Sequence, residues 1–359
     1  MTANSPTSAQ TIGILGSGQL GRMLAIAAAQ LGLRTHVYAP DANNSPAGDI
    51  AYKTTTAAYN DTAALTAFAE NVDVVTSEFE NVPAMVMDLI ANICPVSPGR
   101  AALHTAQHRI LEKTKARELG IKTPQFWPVT SASDLKAVMR GHGLPGILKT
   151  STLGYDGKGQ MRIKPGDNME AAFKNLGTDD AILEELVDFT AEASFLVARN
   201  AMGDVSHFPA SLNHHRNGIL AQSAAPAPLD DKIIAEGMSA VEKMADALDL
   251  FGLLALEAFI TVDGNLLFNE IAPRPHNSFH WTIEGCTTSQ FTQLARLLAG
   301  MPFGATHVNG NWQMDNLLGE DMWKLPELLA STGVHVHVYG KVNVKAGRKM
   351  GHTSRLLRG

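Results

Sequence analysis

The feature that most confines this chain is a dipeptide, Asp263-Gly264, set between two apolar runs, LLALEAFIT and NLLFNEIA. Asp-Gly is a favoured pair for a tight hairpin, because both residues tolerate the positive φ such a turn demands. The two runs therefore read as antiparallel strands. In a two-residue loop Val262 pairs with Asn265, and counting outward sets Glu257 directly opposite Glu270. Like charges facing each other on a sheet repel, and the neighbours Leu256, Ala258 and Ile271 offer no charge to offset them. Either the pair lies on a solvated face and relaxes apart, or a cation joins it. The apolar flanks favour the cation. Carboxylate oxygens, with Asn269 beside them, suit Mg2+, which takes one or two carboxylates and fills its shell from substrate phosphates.

Around this hairpin the chain reads as α/β and α+β. TIGILG, RTHVYAP and NVDVVTSEF look like strands alternating with helices over GQLGRMLAIAAAQLG and VPAMVMDLIAN, a pattern that implies a parallel sheet. CPVSPGR closes that unit, and a helix is expected from Ala102 to Leu119. GILKT and QMRIK flank a glycine-rich hairpin, AILEELV is a further strand, and a helix covers Asp231 to Leu250. VHVHVYG and KVNVKAGRKMGH read as short terminal strands. With 359 residues the chain is long enough for two or three domains. The net charge of −6, with no block of like charge, argues against nucleic acid or an anionic membrane as partner. Two cysteines, Cys94 and Cys286, make neither a disulfide framework nor a metal spacing. No apolar run approaches the ~20 residues of a membrane helix, and the start lacks a signal-peptide pattern, so a cytoplasmic protein is expected.

Several motifs surround the glutamate pair. GSGQLG, Gly16 to Gly21, follows a strand and opens a helix, where unpaired N–H groups can meet an anion. It matches a dinucleotide fingerprint, but the second strand ends in VYAPD without the usual acidic residue at its tip. A different anion, or close packing of helix on strand, is the better reading. GYDGKGQ, Gly154 to Gln160, lacks the Gly-Lys-Ser/Thr of a Walker loop. Between two strands it can fold over a polyphosphate with Lys158, and Lys149 can reach the same charge; an ordinary surface turn explains it as well. Glu78 and Glu80 end a strand of the first sheet, at the edge where such sheets bind ligands, although acids also suit the start of a helix. APRPHNSFHW gathers Arg274, His276, Asn277 and His280 directly after Glu270. Lys341, Lys345, Arg348, Lys349, Arg355 and Arg358 form a basic cluster able to grip a phosphate, or simply a solvated tail.

Taken together, GILGSGQLGRM, GYDGKGQ, NEIAPRPHNSFHWT and GRKMGH, in that order, resemble the ATP-grasp superfamily, and within it the N5-carboxyaminoimidazole ribonucleotide synthetase family of purine biosynthesis. The resemblance runs over nearly the whole chain. It implies an ATP-grasp fold with an N-terminal Rossmann-like domain over residues 1–107, a central lid over 108–188, and a C-terminal α+β domain with a small β subdomain over 189–359. The implied ATP-binding set is Arg109 and Lys149 on the phosphates, and Gly154, Tyr155, Asp156, Gly157, Lys158, Gly159 and Gln160 as flap. Glu184, Glu185, Leu186 and Val187 would border the adenine, Glu192 the ribose, and His215 the nucleotide. Mg2+ would sit on Glu257, Glu270 and Asn269. The ribonucleotide would meet Gln19, Leu20, Glu78 and Glu80; its imidazole end Tyr155, Asp156, His276 and Asn277; its 5′-phosphate Lys341, Arg348 and Lys349. Lys149, Asp156, Arg274, His276 and Asn277 form the implied catalytic set. The family implies a ligase that uses ATP and bicarbonate to carboxylate 5-aminoimidazole ribonucleotide through carboxyphosphate, as a homodimer with handover to a mutase. The competing readings are a related formate- or carboxylate–amine ligase on the same fold, and a nicotinamide oxidoreductase built on the first glycine motif.

Overall fold

A computed structural model describes residues 10–154 and 159–357. The N-terminal alternation folds as expected, into a five-stranded parallel sheet. Its order is Lys53–Thr56, Arg34–Ala39, Thr11–Leu15, Val74–Ser77, Val96–Ser97. The strand order reverses beside Thr11–Leu15, so the crevice of this sheet opens at the carboxyl ends of that strand and of Val74–Ser77. The glycine loop follows the first of these and Glu78 follows the second.

Residues 126–185 build a four-stranded antiparallel sheet, ordered Phe126–Val129, Ala181–Glu185, Gly146–Thr150, Gln160–Ile163. Two helices cover it, each started by a polar cap: Ser131 accepts from the Asp134 N–H, and Asn168 from the Ala171 N–H. Its core is its own, with Val129, Leu135, Leu148, Ile163 and Leu183 at the centre.

The remainder is a nine-stranded antiparallel sheet with the hairpin at one edge. From that edge the order is Leu266–Ala272, Gly252–Thr261, Phe189–Arg199, Ser211–Arg216, Ile219–Ala225, Asn311–Leu318, Lys349–Leu357, Val334–Val338, with Val205–His207 paired beside Phe189–Arg199. Helix Asp231–Ala247 lays Val241 and Met244 against Phe195, Leu254 and Leu256 on one face. On the other face Phe291 and Leu294 share a core with Ile12, Ile14 and Leu24 of the first sheet. That shared core fixes the crevice of the parallel sheet against the large sheet.

Three local expectations are corrected. The helix expected over Ala102–Leu119 is two, Arg100–Ala106 and Arg109–Glu118. His108 between them is extended, and the Gln107 side chain donates to the carbonyls of Glu80 and Val82. Nothing in the local sequence forbids a continuous helix; the tertiary bonds of Gln107 break it. In the terminal segment, residues 341–348 form a loop and only Lys349–Leu357 is a strand there. The hairpin turn is not a two-residue loop. Thr261 and Asn265 close a loop of Val262, Asp263 and Gly264, with the Thr261 N–H on the Asn265 carbonyl at 3.0 Å and Gly264 at φ 73°.

Candidate active site

A three-residue loop shifts the hairpin register by one, and the strand then shifts it back. Ala258 pairs with Phe268 and Glu257 with Glu270, leaving Asn269 as the extra residue of a β-bulge. The expected facing of the two glutamates is therefore present, reached by two departures that cancel. The bulge also re-aims side chains. Phe268 and Ile271 stay in the core, while Asn269 and Glu270 both line the cleft with Glu257.

The pair is electrostatically unequal. Burial, then the charge of Glu270, pushes the Glu257 carboxyl up to about 7. Burial works the same way on Glu270, but Arg109 overrides it and holds that carboxyl below its usual range. The Arg109 guanidinium lies 3.0 Å from Glu270 and also donates to the Gly154 carbonyl at 3.1 Å. Behind Glu257 a polar chain crosses the sheet: Ser194 Oγ at 3.4 Å, the Asn213 amide on Ser194 at 2.6 Å, and Ser223 on Asn213 at 2.9 Å. Among the described residues no group of three or more His, Cys, Asp or Glu side chains could hold a metal unaided. Two carboxylates with an amide oxygen fit a Mg2+ ion whose other ligands are phosphates and water.

Lys149 is buried at the end of its strand, 2.7 Å from Glu184, whose other oxygen lies 3.4 Å from Lys113. Burial raises the Glu184 carboxyl pKa, but the two ammonium groups overcome it and bring the value to about 2. Along the same cleft Glu192 pairs with His215 at 2.9 Å.

The opposite wall is basic and imidazole-rich. Arg274 forms an ion pair with Glu80. The main chain of His276 is held from both sides by buried Gln290, and its Nδ1 lies 2.8 Å from Ser278. Burial, then the charges of Arg274 and Lys349, keeps the ring neutral. Its Nε2 is 3.5 Å from Glu257. Asn277 exchanges two amide hydrogen bonds with Asn316, at 3.0 and 2.7 Å. Lys341 donates to the Lys349 carbonyl at 2.7 Å, and Arg348 to that of Asn343 at 2.9 Å.

The glycine motif has an occupant from its own chain. The Glu78 carboxylate accepts from the Gly18 N–H and, at 2.6 Å, from the Gly21 N–H. It thus satisfies donors at the start of helix Gln19–Gln30, where a pyrophosphate would otherwise lie. A Cβ on Gly16 would meet Glu78 Cγ at 2.5 Å. The fingerprint serves the seating of this carboxylate, which takes the place a nicotinamide dinucleotide's pyrophosphate would need.

Glu78, Glu80, Arg109, Lys149, Glu192, His215, the pair Glu257 and Glu270, Arg274, His276, Asn277, Lys341, Arg348 and Lys349 share one cleft of roughly 1300 Å³. Family models match along the chain: a ribonucleotide synthetase preATP-grasp domain at 9–107, an ATP-grasp domain at 114–291, and a phosphoribosylaminoimidazole carboxylase C-terminal domain at 313–357. The N5-carboxyaminoimidazole ribonucleotide synthase of Brucella melitensis is 43% identical over 99% of this chain and 99% of its own. The chain belongs to the N5-carboxyaminoimidazole ribonucleotide synthase family. It is also 42% identical to a bifunctional purine synthesis protein of Dictyostelium discoideum, covering 96% of this chain but only 37% of that protein. Two solved members of the synthase family superpose closely. One, in an ADP complex, is 37% identical with a TM-score of 0.93, covering 97% of this chain and 93% of that one. The other, from Aspergillus clavatus with ADP and 5-aminoimidazole ribonucleotide, is 28% identical with a TM-score of 0.90, covering 97% and 94%.

Within this synthase-family cleft most of the expected residues come together. Gln19, Leu20, Glu78, Glu80, Arg109, Lys149, Gly154, Gln160, Glu192, His215, Glu257, Asn269, Glu270, Arg274, His276, Asn277, Lys341, Arg348 and Lys349 all line it. Glu184, Glu185, Leu186 and Val187 do not; the Glu184 side chain lies behind Lys149, and Glu185 accepts from the Gln125 N–H. Tyr155, Asp156, Gly157 and Lys158 lie outside the described residues, as does Arg358. Gly159 hydrogen-bonds through its carbonyl to the Thr150 N–H, at the base of the flap strands. Sequence reasoning missed Glu112, Lys113, Ser194, Asn213, Gln290 and Asn316. Each acts on a residue that only the fold brings to it, from 10 to 159 positions away, and the one available signal was the run of polar residues on helix Arg109–Glu118.

Proposed function

We propose that this chain carboxylates the exocyclic amine of 5-aminoimidazole ribonucleotide, using ATP and bicarbonate and releasing ADP and phosphate. The observation that carries the reading is the continuity of the cleft, from Lys149 and Arg109, past Glu257, Asn269 and Glu270, to Lys341, Arg348 and Lys349. It gives two phosphate-bearing substrates separate cationic ends and a common middle.

In this reading a bicarbonate oxygen attacks the γ-phosphorus, the bond to ADP breaks, and carboxyphosphate forms. Lys149 and Arg109 offset the charge on the transferring group. Glu257, Glu270 and Asn269 would hold a Mg2+ ion, which would supply further charge neutralisation. The amine then attacks the carboxyl carbon, or CO2 released from it, and phosphate leaves. Lys341, Arg348 and Lys349 hold the 5′-phosphate, so binding energy remote from the chemistry orients the amine. Neutral His276 lies beside Glu257 and can accept the proton that the amine sheds. Glu80, fixed by Arg274, and Glu78 face the ribonucleotide end. The same reading makes the chain a cytoplasmic homodimer that passes its labile carbamate product to a mutase.

Purified protein with Mg2+ is expected to release ADP only when both 5-aminoimidazole ribonucleotide and bicarbonate are present, and formate is not expected to replace bicarbonate. Loss of ATP independent of the ribonucleotide, with no carboxylated product, would overturn the assignment.

A further inference from the structure

Helix Arg109–Glu118 meets the strand of Glu270 through side chains at i, i+3 and i+4, which share one helix face. Arg109 takes the Glu270 carboxylate. The other two take main chain. A bulge breaks the ladder and leaves backbone groups that need partners inside the fold. Lys113 Nζ donates to the Asn269 carbonyl at 2.6 Å, and Glu112 Oε2 accepts from the Ile271 N–H at 3.1 Å. The bulge is thus gripped on both sides of Glu270 by adjacent residues of one helix.

The Lys113 side chain is 1% exposed. Burying an ammonium costs several kcal/mol unless its hydrogen bonds and charge are matched. Its partners are the bulge carbonyl, Glu184 at 3.4 Å, and the Phe268 ring 5.6 Å away. Through Glu184 it is one step from Lys149, which that carboxylate holds at 2.7 Å. A leucine would fill this space without charge, but it could neither hold a carbonyl nor balance Glu184.

We propose that Lys113, together with Glu112, is a positioning residue: a clip that holds the bulge so that Asn269 and Glu270 project into the cleft together, and that ties this strand through Glu184 to Lys149. Lys113 does not line the cleft and acts through the strand alone, while Glu112 lines the cleft beside Arg109 and holds the Ile271 amide from there. The inference rests on the reading of the cleft as a metal–nucleotide site.

The test compares Lys113→Met, Glu112→Leu and Glu112→Gln with the unaltered chain. The measurements are thermal melting, Mn2+ affinity of the ADP-bound protein by water-proton relaxation, kcat, and KM for the ribonucleotide. Lys113→Met and Glu112→Leu are expected to weaken Mn2+ binding by about tenfold or more, as loss of groups that orient metal ligands does. kcat is expected to fall in parallel while KM for the ribonucleotide holds. Glu112→Gln keeps an oxygen for the Ile271 amide and is expected to behave as the unaltered chain. A folded Lys113→Met protein with unchanged Mn2+ affinity would overturn the clip. Should that variant not fold, Glu112→Leu matching Glu112→Gln in Mn2+ affinity would do the same. Failure of the unaltered chain to carboxylate would defeat the functional reading alone, since the Mn2+ comparison needs no turnover.

Discussion

Glu257 shows how strongly burial and one like-charged neighbour act on a single carboxyl. Its carboxyl titrates near 7 beside an ionised Glu270. A folded pKa raised above the unfolded value contributes stability at low pH, and that contribution is lost as pH rises from about 4.5 to about 7. Glu257→Gln removes this loss. In metal-free protein the variant is expected to melt above the unaltered chain at pH 8 and close to it at pH 5, by calorimetry at both values. The same substitution, and Glu270→Gln, should lower kcat by at least about a hundredfold, the scale on which lost electrostatic groups are felt. Stability gained and activity lost together mark a residue kept for function. Both glutamates were legible because a turn and a count suffice to place them. Lys113 was not: a lysine amid polar helix residues reads as solvated, and its partner is a main-chain oxygen 156 residues away. Asn316 was hidden for the same reason, since only the folded sheet brings it to Asn277.

Among elements, the hairpin is where local rules and tertiary demands meet. Gly264 occupies the left-handed region at φ 73° with open space around its Cα. Gly264→Ala is therefore expected to cost about 1 kcal/mol through backbone strain alone. Melting should move down by a few degrees with kcat and KM intact; altered kinetics would show that the loop reports to the cleft. The turn was legible as a turn but not in its length, because Asp-Gly suits both two- and three-residue loops. The bulge had no sequence mark at all. Lys113 and Glu112 take backbone groups on either side of Glu270, contacts that only the folded chain supplies. The broken helix is similar: the kink before Arg109 is made by Gln107 reaching Glu80 and Val82, and no Gly or Pro announces it.

Across the whole molecule the buried titratable groups pull in opposite directions. His276, His280 and His352 are held neutral well below 6.5, and His36 at about 4, each first by burial. Folded groups of this kind take up fewer protons than the unfolded chain, so stability drops as pH falls below 6.5. Glu257 at about 7 and Glu112 at about 8 do the reverse, with burial the first cause of both. Their contribution fades as pH rises toward those values. Metal-free protein is expected to be most stable near pH 6.5, falling on either side in a series of melting curves; a monotonic rise to pH 8 would contradict the assignment of these groups. At this scale the alternation of strands and helices made the parallel sheet legible. The large sheet was not, because its neighbouring strands Phe189–Arg199 and Gly252–Thr261 are joined through long-range pairing that no local pattern encodes.

The carboxylate of Glu78, resting on the amides of Gly18 and Gly21, means that the first domain's fingerprint is already filled by the chain itself. A motif search would count it as a nicotinamide binder. An engineer wishing to make it one would first have to evict a tenant that the chain itself supplies. The same two amides that a pyrophosphate would need are thereby closed to any other anion while Glu78 stays seated.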